Sequence, residues 1–362
     1  MRLGPITTVI GPILLAPPSA PAYTLMTGKN LRAGPVLDTV ESQRGADLDP
    51  NVREFIRITA EAYLAHGAGR PKTTQSARRV AELVRAPWVE GGPQMAETRE
   101  ITIETRHGGV RLRIHRPVAS TAPQPALFYV HGGGWVMFSL DTHDRIMREY
   151  AGRSGVTVIG IDYALSPEVR FPVALEQIVD VMSHVVAHSG ALGIDVDRLA
   201  MGGDSAGANL SVATALTLRD AGYPARLKGL LLNYGAYAPE LKREDVVRFG
   251  GPDYMLTDAE MAYFWDQYLA LPEDAGNPLA CPLKADLAGL PPAFLAIPEC
   301  DVLSGQSRDL YDRLIEARVQ ARAVTYTGAS HSFLEAVSIA PIAGQALADA
   351  SLWLRTLMEM PS

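Results

Sequence analysis

The sequence contains little cysteine, no cluster of basic residues and no cysteine-based metal motif. Its two cysteines, Cys281 and Cys300, are too few for a disulfide framework or a cysteine zinc site. Their apolar neighbours indicate buried thiols, and a single disulfide between the two is the alternative. The 33 basic residues are outnumbered by 40 acidic ones and form no stripe that would follow a phosphate backbone. We therefore expect no nucleic-acid partner.

The N-terminal segment lacks charge, but proline interrupts its apolar sequence. Residues 3–28 carry no charged side chain, which loosely imitates a secretory signal. Five prolines disfavour both a spanning helix and a regular signal core: Pro5, Pro12, Pro17, Pro18 and Pro21. We expect an apolar, proline-rich extension over residues 1–46 that packs on the protein, a partner or a membrane surface, in a cytoplasmic protein. The alternative is a signal peptide over about residues 1–20 and a secreted or periplasmic protein.

The chain after residue 46 begins with helical patterns and then changes to strands. Of the whole sequence, 47% is hydrophobic and 20% is charged, which suits a globular protein with a large core. Asp49 as N-cap and Pro50 as first helical residue predict an amphipathic helix, and a second is predicted near residues 73–84. The apolar period then becomes two, which predicts two strands joined at Gly108 and Gly109.

Alternating strand and helix patterns fill most of the remaining chain. Short apolar runs such as PALFYV, VTVIGI, RLAMGG, LKGLLLNY and PAFLAI are separated by helical stretches. This pattern predicts an α/β fold with a mostly parallel sheet flanked by helices. Residues 236–290 interrupt the alternation and indicate a helical insertion. The predicted core therefore comprises residues 99–235 and 291–362.

A serine between glycines lies where a predicted strand leads into a helix. Residues 203–207, GDSAG, match the G-x-S-x-G pattern that exposes a nucleophilic serine on a tight strand-to-helix turn. A phosphate-binding loop is the alternative, but G-x-G-x-x-G is absent and no lysine follows Gly207. Ser205 is therefore the candidate nucleophile.

Three consecutive glycines, Gly132 to Gly134, follow an earlier predicted strand in FYVHGGGW. Glycines at a strand end let backbone N–H groups point into a site without obstruction from side chains. An acyl-transfer enzyme needs such donors to hold the negative oxygen of its tetrahedral intermediate. The alternative is a flexible loop.

A catalytic serine needs a base, and His331 has the expected position after the last strand and before the C-terminal helix. The run FLAIPECDVL ends an earlier strand in Glu299 and Asp301, and either carboxylate can orient the imidazole. We prefer Asp301 because it lies farther into the loop.

The other histidines show no pattern of metal binding. His184 and His188 are four residues apart, but Val185 stands where H-E-x-x-H needs glutamate, so we interpret both as ordinary helix residues. Structural or solvent-exposed roles are expected for the remaining candidates in helix-end, hairpin or loop contexts: His66, His107, His115 and His143.

Taken in order, the motifs resemble those of the bacterial hormone-sensitive-lipase-like (family IV) carboxylesterases of the α/β-hydrolase fold. The resemblance runs from about residue 49 to the C-terminus. It rests on HGGGW at 131–135, DYALSPEVRFPVALEQ from Asp162, GDSAG at 203–207, the D-x-L from Asp301 and the late histidine.

The resemblance implies a catalytic triad of Ser205, Asp301 and His331. It also implies an oxyanion hole of backbone N–H groups from Gly133, Gly134 and Ala206. We expect Trp135 and Asp204 to contact substrate, and residues 47–98 and 236–290 to form a helical cap. No metal or organic cofactor is implied, and a homodimer is a possible assembly. Two departures are Ser332, where many relatives have glycine, and DVLSGQ, which lacks the Arg and acidic residues that commonly follow D-x-L.

The expected activity is hydrolysis of small carboxylic esters, of short to medium acyl chain, through an acyl-serine. One alternative keeps the triad but cleaves an amide, formamide or thioester. A second is a receptor-like protein that binds a small molecule, which the presence of His331 disfavours. A third is an interaction protein whose apolar N-terminal extension docks to a membrane.

Overall fold

The fold is described from a computed structural model, which covers residues 47–223 and 227–359. The predicted extension over residues 1–46 lies outside the described residues. The strands are β1 Glu97–Thr105, β2 Gly108–Arg116, β3 Gln124–Val130, β4 Thr157–Asp162, β5 Ile194–Asp204, β6 Leu227–Asn233, β7 Ala293–Cys300 and β8 Ala321–Ser330.

The helices precede and cover these strands. They are α1 Pro50–Gly67, α2 Thr74–Arg85, α3 Asp144–Ser154, α4 Val173–Ala187, α5 Ser189–Leu192, α6 Ala206–Asp220, α7 Arg243–Phe249, α8 Asp258–Tyr268, α9 Ser304–Glu316 and α10 Pro341–Glu359. Short 3-10 turns occur at Ala86–Val89, Pro272–Gly276, Pro282–Lys284 and Phe333–Ser338.

One eight-stranded sheet organises the described residues in the order β1-β2-β4-β3-β5-β6-β7-β8. The pairs β1–β2 and β2–β4 are antiparallel, and the other pairs are parallel. The predicted α/β fold with a mostly parallel sheet is confirmed. Because parallel strands end at the same edge, the segments that follow β3, β5, β7 and β8 meet there.

Both faces of the sheet are buried, which explains the continuous apolar strands. In β3, Phe128 packs into the core on one face, while Leu127 and Tyr129 pack into the core on the other. A side chain of this size stabilises the fold by about 1.5–3 kcal/mol when it is fully buried. A strand covered on both sides therefore shows no polar alternation.

The first helix begins where the sequence predicts. The Asp49 carboxylate accepts hydrogen bonds from the backbone N–H groups of Asn51 and Val52, at 2.8 and 3.1 Å. A cap of this kind contributes about 1 kcal/mol.

The predicted hairpin is correct, but its turn is not. Arg106 and His107 form the turn, and Gly108 already pairs with Thr105 in the sheet. The left-handed backbone that ends the turn falls on Gly108, with φ of +94°, because glycine has no Cβ to oppose it. The glycines therefore begin β2 rather than connect the strands.

Helices α7 and α8 lie within residues 236–290, between β6 and β7. The domain boundaries drawn from the sequence stay a prediction. Cys281 and Cys300 are both buried, and no disulfide joins them. None of the helices in the described part of the chain is long and apolar enough to cross a membrane.

Candidate active site

Ser205 lies on a strained turn between β5 and α6. Its backbone has φ of +52°, which is unfavourable for any residue with a Cβ and costs about 1–3 kcal/mol. A Cβ on Gly203 or Gly207 would lie 2.1 or 1.9 Å from the Val130 carbonyl oxygen, so only glycine fits on either side. The G-x-S-x-G sequence is thus the one that lets β5 turn sharply beside β3 and present the hydroxyl.

Three side chains from three strand ends meet at this turn. The Ser205 Oγ lies 3.0 Å from His331 Nε2, and His331 Nδ1 lies 2.7 Å from Asp301 Oδ2. All three residues are buried. The structure places Glu299 elsewhere, since its carboxylate accepts the backbone N–H of Gly328 at 3.0 Å.

The loop after Asp301 is attached to the insertion by a neutral side chain. The Gln306 carbonyl oxygen accepts the backbone N–H groups of Tyr237 and Ala238, at 2.7 and 3.1 Å, and its amide donates to the Ala238 carbonyl at 2.7 Å. The Leu303 N–H donates to Asp301 Oδ1 at 2.9 Å. These bonds hold the loop in place, although it lacks the Arg and acidic residues that the resemblance implies after D-x-L.

The loop of Gly132 to Gly134 after β3, called the glycine loop below, faces Ser205. Gly133 and Gly134 line the same pocket as Ser205 and His331. Among the described residues, no group accepts a hydrogen bond from the backbone N–H of Gly133, Gly134 or Ala206. Gly133 has φ of +112°, and a Cβ there would lie 2.2 Å from the Met137 carbonyl oxygen. Any other residue would therefore displace this loop.

We expect Gly133→Ala to lower kcat by about 10²- to 10³-fold, the loss that follows removal of one oxyanion donor. Gly155→Ala is the matched control, because Gly155 also has a left-handed backbone, with φ of +76°, but a Cβ there meets nothing within 4 Å. Steady-state hydrolysis of a p-nitrophenyl ester measures both variants. Equal kcat values in the two variants would contradict an oxyanion role for this loop.

Asp204 does not line the pocket, so the structure lends no support to its predicted contact with substrate. Its carboxylate is buried beneath the glycine loop, where it accepts the backbone N–H of Gly132 at 3.1 Å and the hydroxyl of Tyr129 at 2.8 Å. His143 Nε2 lies 3.3 Å from its other oxygen. The residue before the serine points inward because side chains alternate along β5, so Asp204 supports the loop from below.

Trp135 is also buried and does not line the pocket, so its predicted contact with substrate gains no support from the structure. Its ring stacks on Tyr268 with centroids 4.2 Å apart and packs against Trp265 at 4.5 Å. Both partners belong to α8 in the insertion. Trp135 therefore joins the glycine loop to the insertion.

His143 belongs to the support of the site, although its sequence context gave no signal of this. Burial opposes protonation of the imidazole, but the Asp204 carboxylate outweighs burial and raises the pKa of His143. Burial and the neighbouring His143 lower the pKa of His131 from 6.5 to about 4. The surroundings therefore favour His143 as the cation and His131 as the neutral ring.

The depressed pKa of His131 predicts a loss of stability in acid. Between pH 6.5 and 4, His131 is protonated in the unfolded chain but stays neutral in the folded protein. The free energy of unfolding therefore falls as the pH falls, and His131 contributes about 1 kcal/mol per pH unit to this decrease. The pKa of His143 is raised instead of lowered, so its contribution to stability has the opposite pH dependence. That contribution is lost only as the pH rises above 6.5.

Urea denaturation between pH 7 and pH 4.5 checks this expectation. We expect His131→Gln to reduce the dependence of stability on pH below 6.5, with carboxylates supplying what remains. An unchanged slope would contradict the lowered pKa.

The pocket beside Ser205 is mainly apolar. It encloses about 540 Å³ together with its open mouth. Its walls combine the glycine loop and the two residues Met137 and Phe138 that follow it with side chains of α1, α2 and the insertion. Those side chains are Tyr63, Arg85, Met255, Leu256, Glu260, Met261 and Phe264. Ser332 also lines it, in a left-handed conformation with φ of +57° that glycine adopts without strain.

No metal site is formed by the described residues, since no group of three or more His, Cys, Asp or Glu side chains could hold an ion. His184 and His188 instead stack on each other, with ring centroids 4.1 Å apart.

The fold and this site together define an α/β hydrolase, and comparisons with known proteins agree. A family model described as alpha/beta hydrolase fold matches residues 127–335. An acetyl esterase of Salmonella choleraesuis is 38% identical over 283 residues, which cover 77% of this chain and 86% of the relative.

Solved structures of esterases have the same fold. A hyperthermophilic esterase from Pyrobaculum calidifontis superimposes with a TM-score of 0.78 at 32% identity, covering 86% of this chain and 99% of that one. A thermostable esterase from Pseudomonas putida gives a TM-score of 0.79 at 28% identity, covering 87% and 99%. The chain belongs to the hormone-sensitive-lipase-like carboxylesterases of the α/β-hydrolase fold. It is a serine ester hydrolase, and the amide, thioester and receptor alternatives are not favoured.

Proposed function

We propose that Ser205, His331 and Asp301 carry out ester hydrolysis through an acyl-serine. The observation that supports these roles is the pair of contacts on one imidazole: Ser205 Oγ at 3.0 Å from Nε2 and Asp301 Oδ2 at 2.7 Å from Nδ1. His331 takes the serine proton as the hydroxyl attacks the ester carbonyl and gives it to the leaving alcohol. It then activates water, which releases the acid and regenerates the serine.

The negative oxygen of each tetrahedral intermediate is held by the N–H groups of Gly133, Gly134 and Ala206. These donors have no acceptor among the described residues, so they are available when charge develops on the substrate. Donors that are fixed in advance lower the barrier because they need not reorganise during the reaction.

We expect the pocket to prefer short acyl chains. Methionine, leucine and phenylalanine side chains make up much of its wall and offer apolar contact to an acyl chain. Relatives at 37–38% identity are named acetyl esterases. Residues 47–98 and 236–290 form a cap in this proposal, because α1, α2 and α8 all contribute pocket side chains.

Hydrolysis of p-nitrophenyl acetate, butyrate, octanoate and palmitate by the purified full chain tests the proposal. We expect turnover of acetate and butyrate, with kcat/KM falling steeply for octanoate and palmitate. Faster hydrolysis of the palmitate ester would contradict the chain-length preference. Absence of turnover on all four esters would contradict the function itself.

We also propose a cytoplasmic location, with weak membrane contact through residues 1–46, and association of two copies. Fractionation of the full chain beside a variant that begins at Asp47, followed by light scattering of both, tests these points. Recovery of the full chain in culture medium or periplasm would contradict the cytoplasmic location. Equal behaviour of both chains toward membranes would contradict a role for the extension.

A further inference from the structure

Arg85, the last residue of α2, places a cation in the wall of this otherwise apolar pocket. The residue is only 3% exposed, yet it lines the same pocket as Ser205 and His331. Its guanidinium lies over the rings of Phe55 and Phe138, at 5.5 and 5.0 Å from their centroids. These contacts hold the planar group in place, so its position does not depend on a flexible side chain.

The protein satisfies only part of the hydrogen-bonding capacity of Arg85. Its Nε lies 2.9 Å from Glu335 Oε2, and both side chains are almost fully buried. The Nη1 group is buried without a hydrogen-bond partner among the described residues. A guanidinium has five N–H donors, and buried donors are normally paired. A ligand in the pocket that supplies an acceptor would complete this set.

The surrounding charges favour an uncharged acceptor. The Glu335 carboxylate already faces Arg85, and Glu260 also lines the pocket, where its Oε2 accepts the N–H and hydroxyl of Thr257 at 2.9 and 2.8 Å. A carboxylate on the substrate would be repelled by both acidic groups. An ether or carbonyl oxygen accepts a hydrogen bond without that repulsion.

We propose that Arg85 binds a second, uncharged acceptor oxygen of the substrate, beyond the ester that is cleaved. The preferred substrates are then esters with an additional oxygen, such as alkoxyacyl esters, diesters or esters of polyols, rather than simple alkanoates. This inference rests on the proposed function, since it assigns the substrate class of the same site. A purely structural role for Arg85, as the partner of Glu335, is the competing outcome.

Matched esters that exchange one methylene for oxygen test this proposal. On the acyl side the pair is p-nitrophenyl butyrate and p-nitrophenyl methoxyacetate. On the alcohol side it is butyl acetate and methoxyethyl acetate. For each pair the ratio of kcat/KM, oxygen ester over alkyl ester, is measured in the wild type and in variants. Dividing the wild-type ratio by the variant ratio removes the intrinsic reactivity of the esters.

The variants remove the guanidinium without leaving a buried charge unpaired. They are Arg85→Met/Glu335→Gln and Arg85→Lys. Arg57→Met is the control, because Arg57 is exposed and forms ion pairs with Glu54 and Glu61 on its own helix α1. We expect the wild-type ratio to exceed that of the double variant by about tenfold for at least one pair, as for loss of a charged hydrogen bond. We expect the ratio for Arg85→Lys to lie between those of the wild type and the double variant, and the ratio for Arg57→Met to equal that of the wild type.

A ratio that is equal in the wild type and the double variant, for both pairs, would overturn the proposal and leave Arg85 a structural role. Should the double variant not fold, competitive inhibition of the wild type by methoxyacetone and methyl propyl ketone decides the question. Tighter binding of the more polar methoxyacetone supports the proposal, and weaker binding overturns it. If the wild type hydrolyses neither member of either pair, the proposed function fails, which is a different result from a flat ratio.

Discussion

Ser205→Ala is expected to lower kcat for p-nitrophenyl butyrate by about 10⁶-fold, the loss seen when a triad nucleophile is removed. The variant retains the pocket and the N–H donors, so residual catalysis comes from binding and from stabilisation of the oxyanion alone. His331→Ala is expected to be similarly inactive. The double variant is no worse than either single variant, because the two residues act as a unit.

Ser183→Ala is the matched control for this experiment. The Ser183 hydroxyl donates to the Val179 carbonyl of its own helix, at 2.9 Å, so we expect its loss to leave the site intact. A Ser205→Ala variant that keeps within tenfold of wild-type activity would show that another nucleophile is used. Near-UV circular dichroism of each variant separates a loss of chemistry from a loss of fold.

Asp301→Asn is expected to lower kcat by about 10⁴-fold while leaving the fold intact. The Asp301 carboxylate lies 2.7 Å from His331 Nδ1, and an amide there no longer stabilises the imidazolium or favours the required tautomer. We expect the loss to fall mainly on kcat rather than on KM, because Asp301 is buried and does not line the pocket.

Glu299→Gln serves as the control for Asp301→Asn. It makes the same change of carboxylate to amide two residues earlier, where the carboxylate accepts the Gly328 N–H at 3.0 Å. We expect its kcat to stay within a few fold of the wild type. Comparable losses in both variants would contradict the assignment of Asp301 as the orienting acid.

Features that depend on neighbouring residues were predictable from the sequence. The Asp49 cap and the small residues around Ser205 are local signals with one favourable backbone solution. The position of His331 follows from chain order in this fold. Asp301 rather than Glu299 is the predicted orienting acid because it lies just beyond the end of β7, whereas Glu299 still belongs to the strand.

Features that depend on distant partners were not predictable. Trp135 is turned away from the pocket by Tyr268 and Trp265, which arrive from the insertion much later in the chain. The sequence showed Asp204 beside the nucleophile, but not that Tyr129 and Gly132 bind its carboxylate from below. His143 and Arg85 stand in ordinary local contexts, and only the packed structure brings them to the site.

Covalent labelling tests the central claim, that Ser205 forms the acyl-enzyme, most directly. The purified chain is treated with diethyl p-nitrophenyl phosphate, and released p-nitrophenol, residual activity and the mass of each peptide are measured together. We expect one p-nitrophenol per chain, loss of activity in parallel, and a diethylphosphoryl group on the peptide that contains Ser205, absent in Ser205→Ala. A label on another residue, or inactivation that leaves Ser205 unmodified, would contradict it.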